Sequence, residues 1–207
     1  MNRLKVFFLA VVLFVAVGVK AQVSFGVKAG LNLSSMTNDE DSKMKVGYTV
    51  GPTVEFGFAP NMAIQSGVLL SSKGVKYSGI YIEDIDFDAD VTMNANYLQI
   101  PIAFAYKFPI APDTKVYVNA GPYLAFGLFG KTKFKGEIDG ESASADIDTF
   151  GDDGMGVKRF DFGLTFGLGM EVTKFNFGLN YDLGLTDVVK DSGSKNSNFW
   201  ISVGYKF

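Results

Sequence analysis

A two-residue period recurs in eight separate stretches of this 207-residue chain, and it limits the possible folds more than any other feature. Successive side chains of a strand point to opposite faces, so strict alternation marks a strand with one apolar and one polar face. The last nine residues show it best. Phe199, Ile201, Val203, Tyr205 and Phe207 alternate with Trp200, Ser202, Gly204 and Lys206. The chain stops on the apolar face at an aromatic residue, where a soluble domain usually frays into a polar tail.

Seven further strands are expected before it. They cover Val23–Leu33, Val46–Phe58, Met62–Lys73, Tyr97–Phe108, Lys115–Phe129, Phe160–Val172 and Phe175–Leu185. Pro52 falls on the apolar face of the second, which predicts a bulge or kink there. The third is the least regular, because Leu69 falls on its polar face. Most are long enough for a tilted membrane strand, which needs roughly 9–11 residues.

Alternation alone does not say which face is outside. A soluble eight-stranded barrel puts its apolar side chains inward. The polar face decides between the two. It is rich in Gly, Asn, Thr and Ser, with a few mixed charges at Lys28, Glu55, Lys73, Lys107, Asp161, Glu171, Asp182 and Lys206. A water-facing surface carries far more Lys and Glu. Small residues with a few opposite charges suit a narrow, side-chain-filled lumen, with the large apolar residues facing lipid.

The connections agree. Those around Pro60-Asn61, Pro109–Thr114 and Thr173-Lys174 are short, whereas 34–45, 74–96, 130–159 and 186–198 are long. Long and short alternate strictly, as in outer-membrane barrels with short periplasmic turns and long extracellular loops. The expected fold is therefore all-β: an eight-stranded, antiparallel, up-and-down transmembrane β-barrel with both termini in the periplasm. In such barrels a terminal aromatic strand acts as an assembly signal, here Tyr205 and Phe207. Outward aromatics gather at the short-turn end, among them Phe25, Phe58, Phe108, Phe175 and Phe207, as an interfacial girdle would.

The amino terminus fits export. Arg3 and Lys5 precede the apolar run 6–19, and Val19-Lys20-Ala21 offers a cleavage site after Ala21. Residues 1–21 are expected to be a signal peptide and 22–207 the barrel domain. Removing Arg3, Lys5 and Lys20 lowers the basic count from 19 to 16 against 22 acidic residues. Nucleic-acid binding, which needs a basic face, is not expected.

Cysteine and histidine are both absent. Disulfides and thiolate chemistry are thereby excluded, and the commonest general base is missing. No enzyme activity and no cofactor are expected. Of the 22 carboxylates, 17 lie in the long connections. Asp84, Asp86, Asp88 and Asp90 superficially resemble a calcium loop, but they lack the sharp-turn Gly and closing Glu of an EF-hand. Alternation of Ile85, Phe87, Ala89 and Val91 points instead to the third and fourth strands continuing as an acidic hairpin above the membrane. Weak divalent-cation binding that bridges to lipopolysaccharide is the functional alternative. Gly151–Gly156 is expected to be a flexible loop tip. In the lumen, Glu55, Asp161, Glu171 and Asp182 are expected to pair with Lys28, Lys107 and Lys206, because an unpaired buried charge is costly.

Phe25-Gly26-Val27-Lys28-Ala29-Gly30-Leu31-Asn32-Leu33-Ser34 resembles the first strand of the PorT-like outer-membrane β-barrel family. Tyr97-Leu98-Gln99-Ile100-Pro101 is similar to that family's fourth strand, with Gln99 in place of the usual acid, and Ser72-Lys73-Gly74 to the end of its third. The resemblance implies an outer-membrane barrel, and more weakly a role in protein secretion. The leading expectation is a non-enzymatic envelope protein whose acidic loops contact partners. Outer-membrane lipid, lipopolysaccharide, the barrel-assembly machinery and envelope or secretion proteins are the expected partners. An accessory factor in secretion, or passage of a small or hydrophobic solute, are the alternatives.

Overall fold

A computed structural model of the chain describes residues 22–37, 42–82, 87–138, 141–151, 154–189 and 192–207. The expected signal peptide, Asp84 and Asp86 lie outside the described residues. Eleven strand segments form one antiparallel sheet: β1 (Gln22–Met36), β2 (Lys43–Ala59), β3 (Met62–Gly67), β4 (Leu69–Ile82), β5 (Phe87–Ala111), β6 (Thr114–Phe129), β7 (Lys131–Ile138), β8 (Glu141–Asp148), β9 (Phe160–Val172), β10 (Phe175–Asp187) and β11 (Lys195–Lys206). Strand β1 pairs with both β2 and β11, so the sheet closes on itself. Closure gives every wall strand two neighbours, as a wall facing lipid requires.

Segments β3 and β4 are one stave. Across β2, Thr53 faces Gly67 and Val50 faces Leu70; across β5, Ser66 faces Ile102 and Leu69 faces Gln99. The register runs unbroken through Val68. Pro52 stands opposite it and accepts from the Val68 N–H at 3.0 Å. Having no N–H of its own, Pro52 returns no bond. The expected kink is therefore only a missing rung, and β1 pairs with β2 straight through Val27 and Pro52. With β3 and β4 counted together, the wall has the eight staves expected, in the order β1, β2, β3/β4, β5, β6, β9, β10 and β11.

The faces fall as the alternation requires. Phe25, Leu31, Val46, Phe126, Leu168 and Ile201 are exposed on the outer wall. Asn32, Thr49, Gln99, Thr165, Asn180 and Asn198 are buried inside. At the short-turn end, rings meet edge-on in the pairs Tyr106–Phe108, Phe175–Tyr205 and Tyr205–Phe207. The final strand is sealed by the Phe207 N–H donating to the Phe25 carbonyl at 2.9 Å.

The long-connection end is built largely of hairpins. Strands β4 and β5 continue as a hairpin, with Tyr77 facing Val91 and Ile82 facing Phe87, as anticipated. The 130–159 connection, expected only to be long, carries two strands among its described residues. It folds as the β7–β8 hairpin, and β7 pairs with the upper part of β5, Met93 facing Thr132 and Asp88 facing Glu137. Around Gly151–Gly156, expected to be a flexible loop tip, the described residues make backbone hydrogen bonds. Gly154 and Gly156 both donate to the Gly151 carbonyl, and the flanking Phe150 and Val157 form a bridge and are buried.

Candidate functional site

The lumen is the most chemically differentiated part of the described residues. Its contents change in layers along the barrel axis.

The layer nearest the short turns is ionic. Glu55, Lys107, Glu171 and Lys206 each sit on an inward position a few residues from a short turn or the last strand's end. Lys107 contacts a Glu55 carboxylate oxygen and donates to both Glu171 oxygens at 2.9 and 3.1 Å. Lys206 reaches Glu55 Oε2 at 2.9 Å and also Glu171. Two cations thus bridge two carboxylates in a neutral square. Gln65 donates to Glu55 Oε2 at 2.9 Å, which satisfies a further lone pair. A buried ion cluster is tolerated only with such complete pairing.

Three of the expected network members, Lys28, Asp182 and Asp161, stand apart from this square. Lys28 makes no ion pair among the described residues; its ammonium lies over the Trp200 ring, 5.6 Å from the centroid. Asp182 takes neutral donors: Thr165 at 2.7 Å, Gln99 at 3.1 Å and Asn198 at 3.3 Å. A cavity of about 60 Å³ lies in this middle layer, lined by Lys28, Thr165, Asn180 and Trp200 among others.

Higher up, Asp161 pairs with a residue left out of the expected network, Lys73, at 3.5 Å. It also accepts from Tyr123 Oη at 3.1 Å and Asn196 at 3.0 Å. Above this the lumen turns apolar. Val75, Met93, Tyr97, Phe150, Val157 and Val188 pack into one buried cluster, with Phe150 set edge-on to Tyr97 at 5.5 Å. This cluster closes the mouth on the long-connection side.

A repeated pairing sets a glycine opposite each of three lumenal tyrosines. Tyr97 faces Gly127, Tyr117 faces Gly169 and Tyr123 faces Gly163 across the sheet. A Cβ at Gly163 would come within 2.6 Å of the Tyr123 ring. Gly163 and Gly169 clear space for the tyrosines they face, whereas Gly127 clears it for the Phe150 ring. The signal was present in the sequence as alternating Gly on the polar faces of the fifth and sixth expected strands.

Of the candidate metal ligands, only Asp88 and Asp90 belong to the described residues. Asp90 pairs with Lys76 at 3.8 Å, with both side chains nearly half exposed. Among the described residues no group of three or more carboxylates is placed to hold a metal ion.

Several solved outer-membrane barrels are similar to this chain at low identity. The chain is similar to OprG from Pseudomonas aeruginosa at 15% identity, with 90% of this chain and 97% of that one covered and a TM-score of 0.44. It is similar to Neisserial surface protein A at 12% identity, with 90% and 99% covered and a TM-score of 0.41. It is also similar to Ail, the attachment invasion locus protein of Yersinia pestis, at 16% identity, with 90% and 99% covered and a TM-score of 0.39. No curated protein matches the sequence. The profile of the outer membrane protein beta-barrel domain matches residues 18–190, which is most of the chain, and the protein belongs to that family.

Proposed function

We propose that this protein is a non-enzymatic envelope barrel that acts through its long connections rather than through its lumen. One observation carries this reading: the lumen is occupied at both ends. The square of Glu55, Glu171, Lys107 and Lys206 fills one end, and the Phe150 cluster fills the other. All structural elaboration, meaning the extended β4–β5 hairpin and the added β7–β8 hairpin, is at the long-connection end. Residues 1–21 serve as a signal peptide, both termini are periplasmic, and the long connections face outward toward lipopolysaccharide and envelope partners. Tyr205 and Phe207 address the chain to the barrel-assembly machinery.

Planar-bilayer recording tests the central claim. No stable conductance is expected, and a porin-sized step would sink it. Protease treatment of intact cells tests the orientation, with cleavage confined to the long connections.

A second reading places the chain in the PorT-like branch as an accessory factor in protein secretion. Its support is the resemblance of the Phe25–Ser34, Ser72–Gly74 and Tyr97–Pro101 segments. These residues build the wall and the lumen, so the reading concerns lineage more than activity. Loss of secreted-protein export on deletion of the chain would favour it.

A further inference from the structure

On the outer wall, apolar residues give way abruptly to cations along a single stave. Leu124, Phe126, Leu128 and Phe129 of β6 are exposed. After Gly130 the same stave continues as β7, where Lys131, Lys133 and Lys135 are exposed. On the neighbouring β5 the outward residues change from Ile100 and Leu98 to Asn96 and Asn94 at the same level. Such a change marks the height where hydrocarbon meets headgroups.

A groove of about 530 Å³ opens at this level. Its cations are Lys131, Lys133 and Arg159, against one carboxylate, Asp148. Arg159 is held in place by donating Nη1 to the carbonyls of Gly127 at 2.9 Å and Leu128 at 3.0 Å. Its guanidinium is braced by the Phe150 ring at 5.2 Å. Lys131 has only a loose contact with Asp146 at 3.8 Å, with both side chains exposed. Such a pair contributes little and gives way to a better anion. Among the described residues, no carboxylate lies within ion-pair distance of Lys133. The rest of the lining combines hydroxyl and amide groups with an apolar floor. Tyr48 donates to Asn96 at 3.3 Å, Ser72 and Asn94 stand beside them, and Leu128 and Phe129 form the floor.

We infer that this groove binds the phosphorylated sugar headgroup of a lipopolysaccharide molecule in the adjoining leaflet. The height selects a lipid headgroup, because the floor continues directly into the acyl-facing wall. The cations select an anionic one, and a guanidinium beside ammonium groups suits a phosphate. The amide and hydroxyl lining suits a sugar better than a glycerol, since sugars present many hydroxyls to such groups. The groove's volume is in the range of specific small-molecule sites. The inference rests on the outward orientation of the long connections proposed above.

The test uses the full mature chain in detergent with three lipids: bisphosphorylated lipid A, its dephosphorylated form, and phosphatidylglycerol. Bound lipid is read by native mass spectrometry. The bisphosphorylated lipid is expected to bind about tenfold more tightly than either of the others, with the difference shrinking as salt is raised. Lys131→Gln with Lys133→Gln is expected to abolish that preference, whereas Lys174→Gln, at the opposite end, leaves it intact. Both lysines are exposed, and Lys133→Gln alone carries the test if the double variant does not fold. Equal binding of the dephosphorylated form, equal binding of phosphatidylglycerol, or an unchanged preference in the lysine variants would each overturn the assignment. If the preference holds while surface proteolysis places the long connections inside, the groove stands and the proposed orientation falls.

Discussion

The Lys73 ammonium lies 4.4 Å from the centroid of the Tyr123 ring, fully buried in the barrel lumen. Its only carboxylate within reach among the described residues is Asp161 at 3.5 Å. The tyrosine serves both charges, since its face meets the ammonium and its hydroxyl donates to Asp161. Removing the cation leaves a buried carboxylate unbalanced. Lys73→Met is expected to destabilise the barrel by about 3 kcal/mol in urea unfolding from lipid vesicles. Tyr123→Phe, which removes one hydrogen bond to a charged acceptor, should cost about 2 kcal/mol. A neutral Lys73→Met would show that the pair contributes nothing to the fold.

The ionic square predicts strong coupling. Lys107 touches both Glu55 and Glu171. Lys107→Met and Glu171→Gln should each cost about 3 kcal/mol. Made together, they should cost less than their sum by about 2 kcal/mol, because the second change removes a charge that the first had stranded. Additive losses in the double-mutant cycle would mean that the contacts seen here are not maintained.

The apolar mouth depends on a missing side chain. A Cβ at Gly127 would run into the Phe150 ring. Gly127→Ala should therefore expel Phe150 and loosen the 149–157 segment while sparing the wall. Trypsin cleavage after Lys158 or Arg159 is the readout. A rate increase of about tenfold corresponds to about 1.4 kcal/mol of local opening. Unchanged cleavage would show that the plug does not depend on this packing.

The last residue closes a seam. Phe207 contributes a ring contact to Tyr205 and a backbone bond to Phe25. Deleting it should slow assembly more than it lowers final stability. The expected result is an accumulation of the unfolded, heat-insensitive form on gels without boiling. Normal heat-modifiable folding would remove the assembly role proposed for Tyr205 and Phe207.

Much of this architecture was legible residue by residue. The parity of Glu55, Lys107, Glu171 and Lys206 put all four inside, and their closeness to short turns put them at one end. Their pairing followed from the cost of burying charge. Lys28 and Asp182 had the same parity and were expected in the same network, yet one lies over Trp200 and the other takes neutral donors. Parity does not fix which side chains come within contact, and neither of these two forms an ion pair among the described residues. Lys73 was visible on a polar face, but its partner Asp161 is distant in sequence and on a non-adjacent stave. Phe150 gave no signal at all, because it belongs to a connection and reaches the lumen only through the β7–β8 hairpin beneath it.

The sequence by itself determined that the chain is a closed antiparallel barrel, which side of each strand meets lipid, and which residues line the interior. A period of two encodes these directly, because each side chain must take one face or the other. Only the tertiary structure decided which lumenal charges meet, that the mouth is sealed by Phe150, and that Lys131, Lys133 and Arg159 gather around one groove. Those outcomes depend on the stagger of strands around the barrel and on the packing of a long connection. Both bring together residues far apart in the chain, and no local pattern records that distance.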